Sequence, residues 1–483
     1  MSIHAQLSPE ALARLQQQLR KSTISSIIIS ILVVVLIALI LGIFLLPSIM
    51  KNDSQIVTYV SNSDEEEKVQ EKKVTTKVMR KPSSPSSQMA KVIAANTQSP
   101  TAIPVPEELT SAPSLDFGDG DDFGAGWGDG DGSGGGGGFS GIPATMKARC
   151  SKADRMARLL AEGGTPECED AVVKSLDWLQ TTQNPNGSWT GDHPVAMTGL
   201  ALLVYLGHCE TPQSIEYGET VLKAITYLTD VGMRNGGRLS NKDATSIQWV
   251  YDHGIAAYAL AEAYTFCSQL NLTIPNLDTV TKQAGDMIMQ GQSSAGGWLY
   301  KFESGNDADN SVGFWQIQAL KACRHTGLWP RSKFTNTARN ALDWLENVQG
   351  KDGAIGYRGN PEQSPGLTGG GVLAFQMWDK GSTSMARKGV KWIVENAEFD
   401  WGQQNSNLYY HYYHAQAMIN YGGSEWDDYN DMFRDNLVKA QNPDGSWNQG
   451  GIQHGPVNDH MSTCLAALML EVYYRFLPGT GGK

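Results

Sequence analysis

The sequence predicts an all-α fold, an α6/α6 toroid in which six outer/inner helix pairs close into a ring, carried on a single transmembrane helix and a disordered tether. Three observations lead to this prediction. The turn QNPNGSW at 183–189 returns as QNPDGSW at 441–447, as expected of a repeated unit. Helical segments with one apolar stripe alternate with segments that are apolar nearly all round. The first 145 residues hold one long apolar run and then a polar stretch rich in Gly, Pro and Ser.

The first elements are a short cytoplasmic head, residues 1–23, and an uncharged run at 24–46. This run, ISSIIISILVVVLIALILGIFLL, has 23 residues, enough for a helix to cross a hydrocarbon core about 30 Å thick. The following PSIMKND has no small-residue cleavage site. Arg14, Arg20 and Lys21 precede the run, so the positive-inside rule places the N-terminus in the cytoplasm. We therefore expect a single-pass protein of the cytoplasmic (inner) membrane whose C-terminal domain lies outside the cytoplasm.

The next element, residues 47–145, has no sustained period and reads as a disordered tether. Its segment 118–139 alternates Gly and Asp as calcium-binding nonapeptide repeats do, but the nine-residue register is absent. A flexible acidic linker is the favoured interpretation, and weak calcium binding is the alternative. The formal net charge of the whole chain, −12, disfavours a nucleic-acid partner, which would require a basic face.

Residues 146–483 supply the six helix pairs. The inner helices contain the apolar segments PVAMTGLALLVYLG, DHGIAAYALAEAYTFC, SVGFWQIQALKAC, GLTGGGVLAFQMW, YYHYYHAQAMINYGG and MSTCLAALMLEVYY. Of the six cysteines, only Cys150 and Cys168 bracket a short segment that a disulfide would close, and the sequence leaves that bridge open. Free buried thiols are expected for the other four, because they lie in apolar helical patterns; these are Cys209, Cys267, Cys323 and Cys464.

The repeated turns have the spacing Gln, three residues, Gly, one residue, Trp, and a fourth copy has Ile355 in place of the Trp. We expect the Gln to bond the unpaired carbonyls at the end of its own outer helix. The Gly supplies a positive φ, and the Trp packs towards the neighbouring pair with its N–H on a backbone partner. These residues are predicted to be structural: Gln183, Gly187, Trp189, Gln292, Gly296, Trp298, Gln349, Gly353, Gln441, Gly445 and Trp447.

The Gln…Gly-Ser-Trp element, preceded by a helix containing LDWL, resembles the QW motif of the prenyltransferase/squalene-cyclase repeat superfamily (terpenoid cyclase/protein prenyltransferase-like toroids) over about residues 165–478. The opening at 149–180 and the C-terminal CLAALMLEVYYRFLP are similar to membrane-anchored bacterial members. The resemblance implies an α6/α6 barrel with a central cavity and an isoprenoid or other amphipathic ligand. It leaves the chemistry open, because function lies in the site rather than in the fold.

The catalytic motifs of the superfamily are missing from the predicted barrel. The only Asp-x-Asp-Asp, which would mark a cyclase acid, lies at 119–122 in the tether, and no Asp-x-Cys, which would mark a prenyltransferase zinc pair, occurs. We therefore expect no metal and no cofactor, and whether the protein is an enzyme is left open. A terpenoid cyclase or lyase using a non-standard acid, such as Asp309 or Asp459, is one alternative. A protein-interaction scaffold of the cell envelope, with envelope proteins as partners, is another.

Polar and aromatic residues collect at the starts of the inner helices, which all lie at one end of such a ring. Histidine acts as acid, base or ligand near neutral pH, and aromatic faces bind cations or sugars. The favoured function is accordingly binding of an isoprenoid-like, lipid or other amphipathic ligand at the cavity mouth. The candidates are His193, Tyr251, Asp252, His253, Asp309, Trp315, Tyr410, His411, His414, Asp459 and His460. The neighbouring Asp307, Asn310, Tyr409, Tyr412, Tyr413 and His454 belong to the same set.

Overall fold

A computed structural model of the chain describes residues 55–56, 149–190, 193–401, 406–448 and 458–475. The predicted head, the predicted span at 24–46 and nearly all of the predicted tether lie outside these residues. Two tether residues form the short strand β1 (Gln55–Ile56). By its internal contacts the chain divides into two compact units, Met1–Gln55 and Ile56–Lys483. Every described helix belongs to the second unit. None of the described helices is both long enough and apolar enough to cross a bilayer.

The described residues form fourteen α-helices, twelve of which make six consecutive outer/inner pairs. The outer helices are α2 (Pro166–Thr182), α4 (Gly218–Arg234), α6 (Leu277–Gln290), α8 (Thr335–Val348), α10 (Ser384–Asn396) and α12 (Gly423–Lys439). The inner helices are α3 (Pro194–Gly207), α5 (Trp249–Gln269), α7 (Asn310–His325), α9 (Thr368–Met377), α11 (Leu408–Tyr421) and α13 (Asp459–Leu470). Helix α1 (Lys152–Ala161) precedes the first pair, α14 (Val472–Arg475) follows the last, and β2 (Leu272–Thr273) lies between α5 and α6.

The inner helices form a closed ring. Each contacts the next in chain order, and the last, α13, contacts the first, α3. Their burial explains this position: in α3 every residue from Val195 to Gly207 is buried. An outer helix such as α10 buries only a stripe that includes Ala386, Val390 and Ile393, as expected when one face meets solvent. The predicted all-α toroid of six helix pairs is confirmed.

Four glutamines, which we call the junction glutamines, connect consecutive pairs. Each side-chain Nε2 donates to the carbonyl of the turn glycine at 2.5–3.1 Å and to a carbonyl near the start of the following outer helix at 2.8–3.0 Å. The prediction that they bond the end of their own helix was therefore wrong, because the next helix begins beside the turn. The junction glutamines and the helix carbonyls they reach are Gln183 with Thr220, Gln292 with Thr337, Gln349 with Met385, and Gln441 with Ala171.

The tryptophans of these turns bond the outer helix of their own pair. All three are fully buried, and each indole N–H donates at 2.8 Å to a carbonyl in the last turns of its own outer helix. The ring of Trp189 also lies 6.0 Å from that of His460 in the neighbouring inner helix. In each of these turns the tryptophan thus bonds a carbonyl at the end of its own outer helix, and the glutamine bonds a carbonyl of the next outer helix. The three pairs are Trp189 with Leu179, Trp298 with Ile288, and Trp447 with Leu437.

The disulfide joins Cys150 to Cys209, whose Cα atoms lie 5.0 Å apart. The bridge considered from the sequence, Cys150 to Cys168, does not form, and Cys209 is not a free thiol. Cys168 lies on the buried face of α2, whereas Cys209 follows the end of α3 with a positive φ of 67° that turns it out of the helical path. The free buried thiols predicted for Cys267, Cys323 and Cys464 are present.

Buried charges fill the end of the ring at which the inner helices finish. Glu262 of α5 accepts a hydrogen bond from Arg475 at 3.3 Å and pairs with Arg149 at 3.7 Å. Arg149, which directly precedes the disulfide-bonded Cys150, also donates to the carbonyl of Leu206 at the end of α3. This end of the barrel is therefore a packed, charged plug.

Candidate functional site

A cavity of about 450 Å³ lies at the opposite end, where the inner helices begin. Each inner helix contributes to its wall from its first residues or from the residue just before it. The contributing residues, in chain order, include His193, Tyr251, Ser311, Leu367, Tyr409 and Met461. The parallel arrangement of the inner helices is what gathers residues 268 positions apart in the chain, from 193 to 461, around one space.

Part of the cavity lining is apolar. It includes Met197 and Leu200 of α3, Ile255 of α5 and Leu367, which precedes α9. These side chains offer a surface without hydrogen-bonding groups, which suits the hydrocarbon part of a ligand.

An imidazole–carboxylate pair lies in the wall between α3 and α5. His193 is the N-cap residue of α3, and its Nδ1 lies 3.3 Å from Oδ1 of Asp252 in the first turn of α5. Ser240 donates its hydroxyl to the other oxygen, Oδ2, at 2.7 Å. The carboxylate is thus held on both oxygens and is 1 % exposed. Because Nδ1 faces Asp252, Nε2 is the ring nitrogen that remains for other partners.

A second part of the lining consists of hydroxyl groups and aromatic rings. Ser311 shares a hydrogen bond of 2.8 Å with the hydroxyl of Tyr251 and donates to Oδ1 of Asp309 at 2.6 Å. Tyr409 donates its hydroxyl to the carbonyl of Ser311 at 2.8 Å. Burial, helped by the negative charge of Asp309, raises the pKa of Tyr251 to about 12. The tyrosine hydroxyls therefore stay neutral and act as hydrogen-bonding groups at physiological pH.

Tyr300 and Tyr357 extend this wall from the connecting loops. Their hydroxyls lie 3.3 Å apart, and the ring centroid of Tyr300 lies 6.1 Å from that of Tyr251. Trp315, one turn into α7, places its ring 6.2 Å from that of Tyr409. Five aromatic side chains from three helices and two loops thus line one side of the cavity.

Four of the eleven candidates from the sequence line the cavity: His193, Tyr251, Asp252 and Trp315. The other seven do not, and three of them show why. Asp309, fully buried, lies behind Ser311 and caps the start of α7. The ring of Tyr410 packs against Gly366 outside the wall. Asp459, the first residue of α13, is exposed.

The remaining histidines face neighbouring helices rather than the axis. His253 accepts from the backbone N–H of Leu239 and bonds the carbonyl of Ala284, while His460 bonds the carbonyl of Met197. Burial lowers the pKa of both His253 and His460 to about 4. They are neutral packing groups at physiological pH.

The last two candidates, on α11, are also buried away from the cavity. His411 bonds the hydroxyl of Tyr429 of α12 at 2.8 Å. Burial, and then the nearby His411, lower the pKa of His414 well below its ordinary value. Both therefore serve the contact between α11 and its neighbours.

Several wall residues were not predicted from the sequence. Ser240, Tyr300 and Tyr357 lie in the segments that connect outer to inner helices, and these segments differ in length and composition from pair to pair. Ser311 reads as an ordinary first-turn residue after the N-cap Asp309. The aromatic content of the connecting segments was the one available signal. Among the described residues, no group of three or more His, Cys, Asp or Glu side chains is arranged to hold a metal ion.

Comparison with known proteins gives structural similarities only. Neither a family model nor a curated protein matches the chain. The α-1,6-mannanase GH76A from Salegentibacter sp. is 13% identical, with a TM-score of 0.49, over 64% of this chain and 98% of that protein. Two structures of the type II terpene cyclase MstE from Scytonema, one with its product merosterolic acid A and one with its substrate geranylgeranyl dihydroxybenzoate, are 12% identical, with TM-scores of 0.43. They cover 64% of this chain and 96% and 97% of theirs. Similarity at this level says nothing about activity, and the toroid fold follows from the ring of helices itself.

Proposed function

We propose that the toroid binds a small amphipathic molecule, with an isoprenoid-like apolar part, in the cavity at its mouth. The supporting observation is the mixed lining of the cavity. It includes the apolar side chains of Met197 and Leu200 and the hydroxyl and carboxylate groups of Tyr251, Asp252 and Ser311. The volume of about 450 Å³ lies within the usual range for small-molecule pockets, about 300–1,000 Å³. An amphipathic ligand satisfies both kinds of lining at once.

The scaffold alternative has less support, because a purely structural toroid has no need of an open space at the head of its inner helices. The other end is filled, because Arg149, Glu262 and Arg475 form buried ion pairs there. The contrast between a packed end and an open end favours a ligand at the open one.

A cyclase reaction begun by a non-standard acid also has less support. Asp309 uses Oδ1 to accept from both the N–H and the hydroxyl of Ser311, so it is an N-cap group, and Asp459 is exposed outside the cavity. An initiating acid has to reach the substrate, and neither residue lines the cavity.

The same proposal places this domain outside the cytoplasm, attached through the apolar run at 24–46. The disulfide between Cys150 and Cys209 supports an oxidising compartment. Alkaline extraction of membranes tests the attachment: we expect the full-length chain in the pellet and a chain with 24–46 deleted in the supernatant. Recovery of the intact chain in the supernatant would contradict the attachment. Alkylation under non-reducing conditions tests the compartment, since a reactive Cys209 in cells would contradict export.

The ligand proposal is tested with farnesol and the full-length chain in a lipid nanodisc, with empty nanodiscs as the blank. Calorimetry should show saturable binding. Met197→Trp, which fills the cavity, should weaken binding at least about tenfold, a loss of about 1.4 kcal/mol. Met233→Trp is the matched control, because Met233 is 45% exposed on the outer helix α4. No saturable binding, or equal binding by both variants, would contradict the proposal.

A further inference from the structure

We propose that the polar end of this ligand is an organic ammonium group. The inference rests on the proposed function, since it specifies the charge of the molecule in the same cavity. Three features support it: buried carboxylates in a wall without Lys or Arg, the absence of a salt bridge to Asp309 among the described residues, and a set of aromatic rings beside these carboxylates.

The charge of the wall is negative. Asp252 lines the cavity and Asp309 lies directly behind Ser311, and their side chains are 1 % and 0 % exposed. None of the described residues that line the cavity is Lys or Arg. Asp252 also faces the imidazole of His193 at 3.3 Å, which carries a charge only when protonated. Carboxylates in a low-dielectric wall without Lys or Arg attract a cation strongly.

Two arginines of the connecting segments, Arg358 and Arg238, are engaged in other contacts. Arg358 lies 6.0 Å from the ring centroid of Tyr357 and pairs with Asp307 at 3.4 Å. Arg238 lies over the ring of Trp249 and donates to the carbonyl of Lys242. Neither is part of the cavity wall.

Asp309 is a buried carboxylate without a salt bridge among the described residues. Oδ1 accepts from the N–H and the hydroxyl of Ser311. Oδ2 is buried and has no hydrogen-bond partner at ordinary distance among these residues, although the hydroxyl of Tyr300 lies close enough to the carboxylate to interact with it. The carboxylate adjoins the cavity, because the Ser311 hydroxyl that donates to it belongs to the cavity wall. A buried charge is stable only when something compensates it, and a cation in the cavity does so across one layer of side chains.

The aromatic rings match an ammonium group in particular. Tyr251, Tyr300, Tyr357, Tyr409 and Trp315 line the same side of the cavity. Hydrogen bonds to Ser311 hold the hydroxyls of Tyr251 and Tyr409 in place, so the orientation of these rings is fixed. Aromatic cages of this kind bind alkylated ammonium groups through the negative faces of the rings. A phosphate or carboxylate head would instead meet two carboxylates and no cationic side chain.

The test compares three molecules that share a six-carbon tail: hexyltrimethylammonium, 1-hexanol and hexyl phosphate. Calorimetry uses the full-length chain in nanodiscs, with empty nanodiscs as the blank, at pH 8, above the range in which imidazole ordinarily charges. We expect the ammonium compound to bind about tenfold or more tightly than hexanol, as expected of a few cation–aromatic and charge contacts. Hexyl phosphate should bind least.

The variants Asp252→Asn and Asp309→Asn remove one charge each while keeping the shape of the side chain, and asparagine is also a good N-cap residue. Each should weaken ammonium binding about tenfold and weaken hexanol binding by a clearly smaller factor, because asparagine still offers a neutral hydroxyl a hydrogen-bonding group. Asp459→Asn is the matched control, because it removes one exposed charge at the same end of the ring and should change neither.

The outcomes separate the two proposals. Equal binding of hexanol and the ammonium compound, with no effect of Asp252→Asn or Asp309→Asn, would overturn the ammonium inference while leaving the amphipathic ligand in place. Preference for hexyl phosphate would overturn it as well. Failure of all three probes and of farnesol to bind would overturn both proposals.

Discussion

Replacing Gly445 with alanine would test whether the Gln–Gly–Trp turn holds the last pair against the first. Gly445 has a φ of +93°, and a Cβ placed on it would lie 2.1 Å from the carbonyl oxygen of Lys174 in α2. Gly187, Gly296 and Gly353 are positioned in the same way, with a backbone oxygen of the next outer helix 2.2–2.3 Å from such a Cβ. An alanine therefore has to push two outer helices apart.

The expected loss is the sum of three parts. A left-handed backbone costs alanine about 1–2 kcal/mol. Forcing a methyl group into a packed contact costs about 1–3 kcal/mol. Separation of α2 from the turn weakens the hydrogen bond from Gln441 to the carbonyl of Ala171, now 2.8 Å, a loss of about 1 kcal/mol. Gly445→Ala should therefore lower the free energy of unfolding by about 3–6 kcal/mol, a large part of the 5–15 kcal/mol typical of a domain.

Gly236→Ala is the matched control. Gly236 also has a positive φ, +61°, but a Cβ there would meet nothing within 4 Å, so only the backbone cost of about 1–2 kcal/mol applies. Pulse proteolysis of the full-length chain across a urea series measures both variants against the natural sequence. If Gly445→Ala shifts the urea midpoint no further than Gly236→Ala, the contact between last and first pair does not stabilise the ring.

Three further changes address the buried charges and the disulfide. Burial lowers the pKa of His460 from 6.5 to about 4. The unfolded chain therefore takes up the proton first, and the folded state loses stability as the pH falls from about 6.5 to 4. His460→Gln should remove about 3 kcal/mol of that loss, measured by urea unfolding from pH 7 to 4. Removing the disulfide by Cys150→Ser with Cys209→Ser should cost about 2–4 kcal/mol, given a closed segment of 59 residues, and reductant should destabilise the natural chain equally. Glu262→Gln leaves two buried guanidinium groups without their carboxylate and should cost about 3–5 kcal/mol by the same urea assay.

Each of these has a result that contradicts it. An unchanged pH slope in His460→Gln would mean that the buried imidazole does not control acid stability. If reductant still destabilises the double cysteine variant, the effect of the reductant does not come from this disulfide. Glu262→Gln with natural stability would show that the arginine plug is satisfied without the carboxylate.

The fold was predictable because its signals are periodic. The inner helices are apolar nearly all round, the outer ones are striped, and the turns repeat one spacing, so six pairs could be counted directly. The site was predictable only in part. Successive residues at a helix start point about 100° apart, so Asp252 faces the cavity while His253 faces α6. Ser240, Tyr300 and Tyr357 lie in loops without any period. The partner of Cys150 depends on how the end of α3 meets the start of the domain, which no local pattern records.

The bond from Gln441 to Ala171 joins residues 270 positions apart, and this has a consequence for how the domain folds and evolves. Bringing such distant segments together is slow, because the entropy of closing a long loop is lost before any contact forms. We therefore expect closure to come late in folding. An open solenoid tolerates the gain or loss of a repeat. A closed ring of six pairs tolerates it less well, so we expect variation among related rings to concentrate in the loops and at the heads of the inner helices.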